Sequence, residues 1–509
     1  MSSSEKLPQF PKPYWRDLEF PVFEPLNADL SVDVTVVGAG ITGITTAYLL
    51  SKAGVKVALL EADRVLAGTT GHTTAKLTAQ HNLIYDEIIN HFGKDQAKLY
   101  YDSHMSAIQF VENEVDEKGI DCDFSKQDAC VYATTEEYVE KIKTEWEAYK
   151  KLGIDGALKD TIPFNIPVKA ALYMKNQAQY HPLKFLKSLL TEAVHAGCAV
   201  YEQTPATDIE DDKSEPKVYV KGGYKVTGKH VIMASHFPFY DKIGVFFARM
   251  YADRSYALAI KTDQEYPGGM YVSADYPARS IRSTPLNRET LWIIGGESHK
   301  TGQGINTMKH YEAVAEFAEE TFGAKEIVYR WSAQDLTTLD KLPYIGPITE
   351  DRERVLVATG YKKWGMTTGI LAGHILSDYV LNRENPYKEL YSPSRFQADP
   401  DLKKAVTTNA DVAKHLIKGK LEYTDKDAAD LQPREGSVVM FNGRRAGAYK
   451  DENGKLYVVD TTCQHMGCEC EWNDGEKTWD CPCHGSRYSF NGEVIEGPAL
   501  NPLDLLVED

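Results

Sequence analysis

No run of about eighteen apolar residues occurs in the 509-residue chain, so no segment reads as a membrane-spanning helix. The N-terminal stretch MSSSEKLPQFPKPYWRDLEF lacks a basic region, an apolar core and a twin arginine, and no export signal is read there. Basic charge is also short. The 57 Lys and Arg against 74 Asp and Glu leave a formal net charge of −17, which argues against nucleic acid or an anionic membrane as a partner. Cysteine is sparse: eight in all, and only Cys122, Cys130 and Cys198 lie outside residues 463–483. That is not the framework of a disulfide-stapled secreted domain. A cytoplasmic location is the simplest expectation. Internal repeats and low-complexity tracts are missing too. What remains, 42% hydrophobic and 26% charged, is ordinary globular composition at a length that suits two or three domains.

The cysteines that are present concentrate the chemistry. Thr461 to Phe490 reads TTCQHMGCECEWNDGEKTWDCPCHGSRYSF, with two short loops, Cys463-x-His465 and Cys481-x-x-His484, on either side of a turn-rich hairpin. Each loop offers one thiolate and one imidazole. A [2Fe-2S] cluster with one iron on two Cys and the other on two His needs that supply. Tetrahedral zinc is the first competitor, but zinc fingers pair Cys with Cys and His with His, and this order is mixed. CQHMGC and CPCHGSRY, with WNDGEKTWD between them and Gly497-Pro498-Ala499 after, resemble Rieske proteins of the cytochrome bc type over about the last eighty residues. The resemblance implies that Cys463 and Cys481 hold one iron and His465 and His484 the other. It implies a disulfide between Cys468 and Cys483, and hydrogen bonds from Ser486 and Tyr488 to cluster sulfurs that raise the potential. Cys470 has no counterpart and reads as a free thiol. Many bc-type proteins are membrane-anchored; this chain departs from them there.

A second motif opens the chain. Val34–Val37 is a β-branched run, Gly38, Gly40 and Gly43 spell G-x-G-x-x-G, helical residues follow to Lys52, and a further strand, Val55–Leu60, ends on Glu61. This order suits a dinucleotide: the glycines admit the pyrophosphate at a helix N-terminus and the acid binds ribose hydroxyls. The segment Ala67-GTTGHTTAKLTAQ then resembles the loop after the second strand in the D-amino-acid-oxidase-like (DAO) flavoproteins, especially sarcosine and dimethylglycine dehydrogenases. Lys229-HVIMASH, Arg330-WSAQDLTTLDKLPYIGP and Val355-LVATGYKKWGMTTGILAGHIL resemble later parts of the same family, so the likeness runs from 33 to about 382. It implies FAD held by Gly38, Gly40, Gly43, Glu61, Thr69, Thr70, His72, Gly360, Met366 and Thr367. His72 stands where those dehydrogenases carry a covalent flavin bond. Gly71 in place of the family's Trp and the unusual Lys76 leave a hydrogen-bonded histidine as the alternative. No second glycine fingerprint follows a strand, so a separate NAD(P)H domain is not expected.

The expected fold class is α/β plus β: a Rossmann-type FAD-binding domain, a discontinuous antiparallel-sheet substrate domain, and a small all-β Rieske domain. Residues 1–30 read as an arm. Residues 31–382 form the DAO-like part, with FAD-binding pieces at about 31–84, 165–244 and 340–382 and substrate-domain pieces at about 85–164 and 245–339. Residues 383–430 read as a packed linker with helical periodicity from Leu402 to Lys420. Residues 431–509 form the Rieske domain, with Asn442-Gly443 and Asn453-Gly454 as turns between strands. Arg282 and Arg330 are candidates for a substrate carboxylate.

The two resemblances together imply an FAD-dependent dehydrogenase. It would oxidise a C–N bond of a small amine or amino acid and empty its flavin one electron at a time through the cluster to an external acceptor, a protein or a quinone. From Leu431 onward 14 Asp and Glu face 7 Lys and Arg, which suits an acceptor with a basic face. A non-enzymatic electron carrier or redox sensor, and an oxidase that uses O₂ directly, are the alternatives. A Rieske oxygenase is disfavoured, because no D/E-x₂-H-x₄-H pattern is present to bind a mononuclear iron.

Overall fold

The computed structural model describes residues 7–211, 215–304, 306–395 and 424–508, together with 412, 414–416 and 419. Val34–Val37 and Val57–Leu60 are buried along their whole length, the pattern of strands inside a parallel sheet covered on both faces. They pair parallel with each other. Ala199–Tyr201 extends the sheet on one side, and His230–Met233, Val355–Thr359 and Tyr344–Pro347 extend it on the other. Only the edge strand Tyr344–Pro347 runs antiparallel. Helix Ile41–Lys52 is buried on most sides and packs against helices Pro182–His195 and Gly365–Val380.

The second layer is a nine-stranded sheet. From one edge it runs Glu326–Thr338, Met250–Lys261, Glu289–Lys300, Arg279–Leu286, Met270–Ser273, Ser125–Ala133 and Ala170–Gln179; the last of these pairs with both Lys76–Leu77 and Gly156–Lys159. It is antiparallel except where Met270–Ser273 pairs parallel with Ser125–Ala133. The polar stretch from Thr135 forms helix Glu136–Leu152, whose buried residues Val139, Ile142, Ala148, Tyr149 and Leu152 join the core shared with the parallel-sheet layer. Two expected boundaries need correction. Ala170–Gln179 falls within the piece expected to bind FAD, yet it pairs with Ser125–Ala133 in the substrate sheet, and Lys76–Leu77 joins that sheet as well. Both are buried strands, and burial alone does not say which sheet a strand enters.

The arm crosses the first domain and is anchored there. Tyr14 and Trp15 are buried; Tyr14 donates to the Pro285 carbonyl (2.6 Å) and Trp15 Nε1 to the Thr73 carbonyl (2.7 Å). Of the expected linker, helix Lys388–Tyr391 seats Leu390 and Tyr391 in the core. The Leu402–Lys420 helical expectation lies largely outside the described residues. The C-terminal domain is two four-stranded antiparallel sheets, Gly436–Phe441, Arg444–Lys450, Leu456–Val459 and Leu505–Glu508 in one, Glu471–Asn473, Thr478–Asp480, Arg487–Ser489 and Val494–Glu496 in the other. The turn between its first two strands is Asn442-Gly443, both at positive φ, as a tight hairpin requires. Among the described residues no helix is long and apolar enough to cross a membrane.

Candidate functional site

The flavin end of the site is built at the C-terminal edge of the parallel sheet. Gly38 turns the chain at φ +104°, and a Cβ on Gly43 would lie 1.8 Å from the Gly38 carbonyl oxygen, so the strand–turn–helix unit closes only with glycine there. Gly40 caps helix Ile41–Lys52 without a side chain, which leaves the first-turn N–H groups after Ile41 open to an anion. Thr70 Oγ1 accepts from the Ile41 N–H (3.1 Å). Glu61 follows the second strand, half-buried, and accepts from the N–H groups of Ala39 (2.8 Å) and Asp63 (3.0 Å); desolvation of the carboxyl raises its pKa. Gly360 takes φ +78° just after strand Val355–Thr359, and Met366 and Thr367 stand in the first turn of helix Gly365–Val380. Thr367 Oγ1 donates to the Thr78 carbonyl at 3.0 Å. These groups fit a dinucleotide: an uncapped helix end, glycine where the phosphates would approach, and a carboxylate one strand away.

The loop Thr69–His72 joins the two layers. Thr69 Oγ1 donates to the Gln334 carbonyl (3.3 Å), and the His72 carbonyl accepts from Trp331 Nε1 (2.9 Å). His72 Nδ1 lies 2.9 Å from the Gly68 carbonyl, which fixes the proton on Nδ1 and leaves the lone pair on Nε2. Burial lowers the His72 pKa and keeps the ring neutral. Either expected role, a bond to the flavin or a hydrogen bond beside it, would use that lone pair. Acid precipitation of the protein separates them: colour that stays with the pellet means a bond.

The metal end is compact. Cys463 N–H donates to the Cys468 carbonyl (2.8 Å) and Cys481 N–H to the Ser486 carbonyl (2.8 Å), which folds each loop back on itself. The thiols of Cys463, Cys470 and Cys481 are buried and mutually within 4.8 Å. Hydrogen bonds from Cys470 and Cys481, together with the Tyr488 hydroxyl, hold the Cys463 thiol far below its ordinary pKa. The His465 and His484 rings stand perpendicular, their centroids 4.9 Å apart, and His465 Nδ1 is buried with no hydrogen-bond partner. Two thiols, two imidazoles and an orphaned ring nitrogen fit the donor set of a two-Cys, two-His cluster. Tyr488 Oη lies 3.3 Å from Cys463 Sγ and accepts from the Gln464 N–H (3.1 Å), so its own proton is available to the sulfur. Ser486 is wholly buried and its Oγ accepts from the Ala499 N–H (3.0 Å), leaving its proton available in the same way.

Cys468 and Cys483 are joined by a disulfide across a sequence separation of 15. Removing it with the pair Cys468→Ala and Cys483→Ala is expected to cost about 3 kcal/mol of the constraint on these loops. Iron per chain after aerobic purification should fall, and the thermal transition with it. Full iron and an unchanged transition would contradict this.

The histidine rings of the metal loops face the rest of the chain, while Gln464 and Met466 stay exposed. Phe247 packs edge-on against both histidine rings, centroids 5.7 Å from His465 and 5.4 Å from His484, and Phe237 stands 6.5 Å from His465. Both phenylalanines belong to the first 380 residues. Three further contacts pin the domain. Gln334 Nε2 donates to the Gly485 carbonyl (2.8 Å) while its Oε1 accepts from Thr301 Oγ1 (2.7 Å). Thr307 Oγ1 donates to Asn473 Oδ1 (2.6 Å) and accepts from the Gly475 N–H (2.8 Å). Buried Arg254 lies 3.9 Å from Asp480 and 3.8 Å from Glu496, carboxylates that Arg487 also approaches.

Both candidate arginines are buried and donate to backbone carbonyls, Arg282 through Nε and Nη1 and Arg330 through all three nitrogens, which counts against that expectation. Arg282 donates to the carbonyls of Thr74, Ala75 and Ser283, and Arg330 to those of Pro8, Gln9 and Gly475. A buried guanidinium with its donors on backbone carbonyls is a structural tie. The sequence reading misses Gln334, Phe237 and Phe247. A polar residue at 334 inside an otherwise buried strand is the one signal that pointed to the first.

A family model for FAD dependent oxidoreductases (DAO) matches residues 33–379, and one for the Rieske [2Fe-2S] domain matches residues 422–506. Over 504 residues, 99% of each chain, the protein is 52% identical to a Bacillus subtilis (strain 168) protein named as a Rieske 2Fe-2S iron-sulfur protein, YhfW. It is 24% identical to the gamma-glutamylputrescine oxidoreductase of Escherichia coli (strain K12) over 373 residues, 70% of this chain and 85% of that one. Among solved structures, glycine oxidase from Geobacillus kaustophilus superposes with a TM-score of 0.62 at 20% identity, covering 72% of this chain and 99% of that one.

Proposed function

The chain belongs to the DAO family of FAD dependent oxidoreductases and carries a Rieske [2Fe-2S] domain, and we propose that it is a dehydrogenase acting on a C–N bond of a small amine or amino acid, with the fused cluster as its electron exit. One strand carries this reading. Neighbouring side chains of a strand point to opposite faces. On Glu326–Thr338, Trp331 reaches back to the His72 loop while Gln334 reaches forward to Gly485, next to His484. The sheet therefore has the expected flavin loop on one face and the cluster loops on the other.

FAD, when bound, accepts a hydride, and the cluster takes electrons singly. The residues of the chain supply position. Gly38, Gly40, Gly43 and Glu61 would hold pyrophosphate and ribose; Thr69, Thr70, His72, Gly360, Met366 and Thr367 would flank the ring. Cys463, Cys481, His465 and His484 would hold the irons, with Phe237 and Phe247 keeping water from the histidine edge.

Within that class an amine suits this face of the sheet better than a free carboxylate. With Arg282 and Arg330 tied to backbone, the polar groups on the Trp331 face of the sheet include Asp253 and Asp335, direct cross-strand partners. Burial raises both carboxyl pKa values against the pull of Lys363, which neighbours both, and of Lys300 beside Asp253 and His236 nearer Asp335. The likeness to a gamma-glutamylputrescine oxidoreductase supports the same choice. A carboxylate captures an ammonium only when ionised. Capture is therefore present above the raised pKa of Asp335 and lost as pH falls through it, so apparent affinity should weaken on the acid side. Asp335→Asn should abolish this acid limb and weaken binding on the order of tenfold to a hundredfold. A pH profile of kcat/KM for both proteins checks it.

The test of the function itself is an anaerobic screen of amines, amino acids, betaines and hydroxy acids for flavin bleaching. Bleaching by one small amine is the expected result. Bleaching only by a protein reductase would replace the dehydrogenase with an electron carrier.

A further inference from the structure

Cys470 is the third thiol of the metal pocket, and neither the ligand set nor the disulfide uses it. It is wholly buried, and its sulfur lies within 4.8 Å of both Cys463 Sγ and Cys481 Sγ. The backbone holds it there from both sides: its N–H donates to the Thr461 carbonyl (2.8 Å) and its carbonyl accepts from Arg445 Nη2 (3.2 Å). The side chain is therefore aimed at the two cysteine ligands.

A ligand role does not suit it. In a two-Cys, two-His cluster the iron on Cys463 and Cys481 has its two other positions filled by bridging sulfides, so a third thiolate finds no vacancy. An unbound thiolate beside two bound ones would add an uncompensated buried charge. The thiol keeps its proton, and a thiol is a hydrogen-bond donor, if a weak one.

We propose that Cys470 tunes the cluster: its S–H donates to the sulfur of Cys463 or Cys481 and raises the midpoint potential, alongside the Ser486 and Tyr488 hydroxyls. The reduced cluster carries the extra negative charge, so a donor to its sulfurs favours reduction. The inference rests on cluster ligation alone and stands apart from the substrate and from the route electrons take.

The test uses the full chain with its cluster and two variants, Cys470→Val, which stays apolar and removes the donor, and Cys470→Ser, which keeps a donor. Iron per chain and the EPR spectrum of the reduced state report that the cluster is intact, and a potentiometric titration followed by EPR reads the effect. The expected result is full iron in both variants, a lower midpoint in Cys470→Val, and a midpoint at or above the parent in Cys470→Ser. A Cys470→Val midpoint equal to the parent overturns the proposal. So does an equal fall in both variants, which would mean packing, or loss of iron in either, which would mean ligation or a structural need for the thiol.

Discussion

Replacing Gly302 with valine is expected to slow delivery of electrons to the cluster on the order of tenfold to a hundredfold, with both cofactors still bound. Gly302 lies in the turn after strand Glu289–Lys300, at φ +70°. A Cβ there would stand 2.5 Å from the Pro482 nitrogen and 2.7 Å from the Cys481 carbonyl carbon. Both are backbone atoms of the second metal loop, so no side-chain rotation relieves the contact. The loop must move away from the sheet, and with it the Gln334–Gly485 hydrogen bond. A branched side chain is also strained at that φ, which moves the turn itself. None of Cys463, His465, Cys481 and His484 is altered. In stopped-flow absorbance with an amine from the screen, flavin bleaching should keep its rate while cluster reduction lags, and the EPR spectrum should be unchanged. Cluster reduction at the parent rate would mean that close docking on the sheet is not what couples the two halves.

The parts of this protein that its sequence discloses are those made by residues close together along the chain. The metal loops place a thiol and an imidazole within four residues of each other, and the glycine turn, helix and Glu61 follow in one βαβ unit. The chemistry of such sites is written in spacing. The hairpin turn at Asn442-Gly443 is legible for the same reason. What is not legible is made by partners far apart. Gln334 and Gly485 are 151 residues from each other, Arg330 and Gly475 are 145 apart, and Arg282 and Ala75 are 207 apart. An arginine in a strand of a substrate domain reads as a carboxylate binder until its backbone partners are seen. Boundaries fail by the same logic: Ala170–Gln179 is a buried strand whichever sheet it joins, and only its pairing with Ser125–Ala133 decides.

The direction the histidine rings face was equally hidden. Nothing in CQHMGC or CPCHGSRY says whether His465 and His484 meet solvent or another domain. Phe237 and Phe247, more than 200 residues upstream, answer that. Both rings therefore face the rest of the chain, the side from which the proposed electron route would reach the cluster.

Removing a proposed cluster ligand by Cys481→Ser, and comparing two rates in the variant and the parent, tests that claim most directly. Cys481 belongs to the loop that packs on the sheet face opposite the one proposed for the flavin, so flavin reduction is expected to be unaffected. The account predicts that an amine bleaches the flavin about as fast as in the parent, while turnover with a one-electron acceptor falls to near background. Unchanged turnover in the cluster-free variant would show that electrons leave the flavin by another route, and an oxidase that passes them to O₂ would take the place of this account.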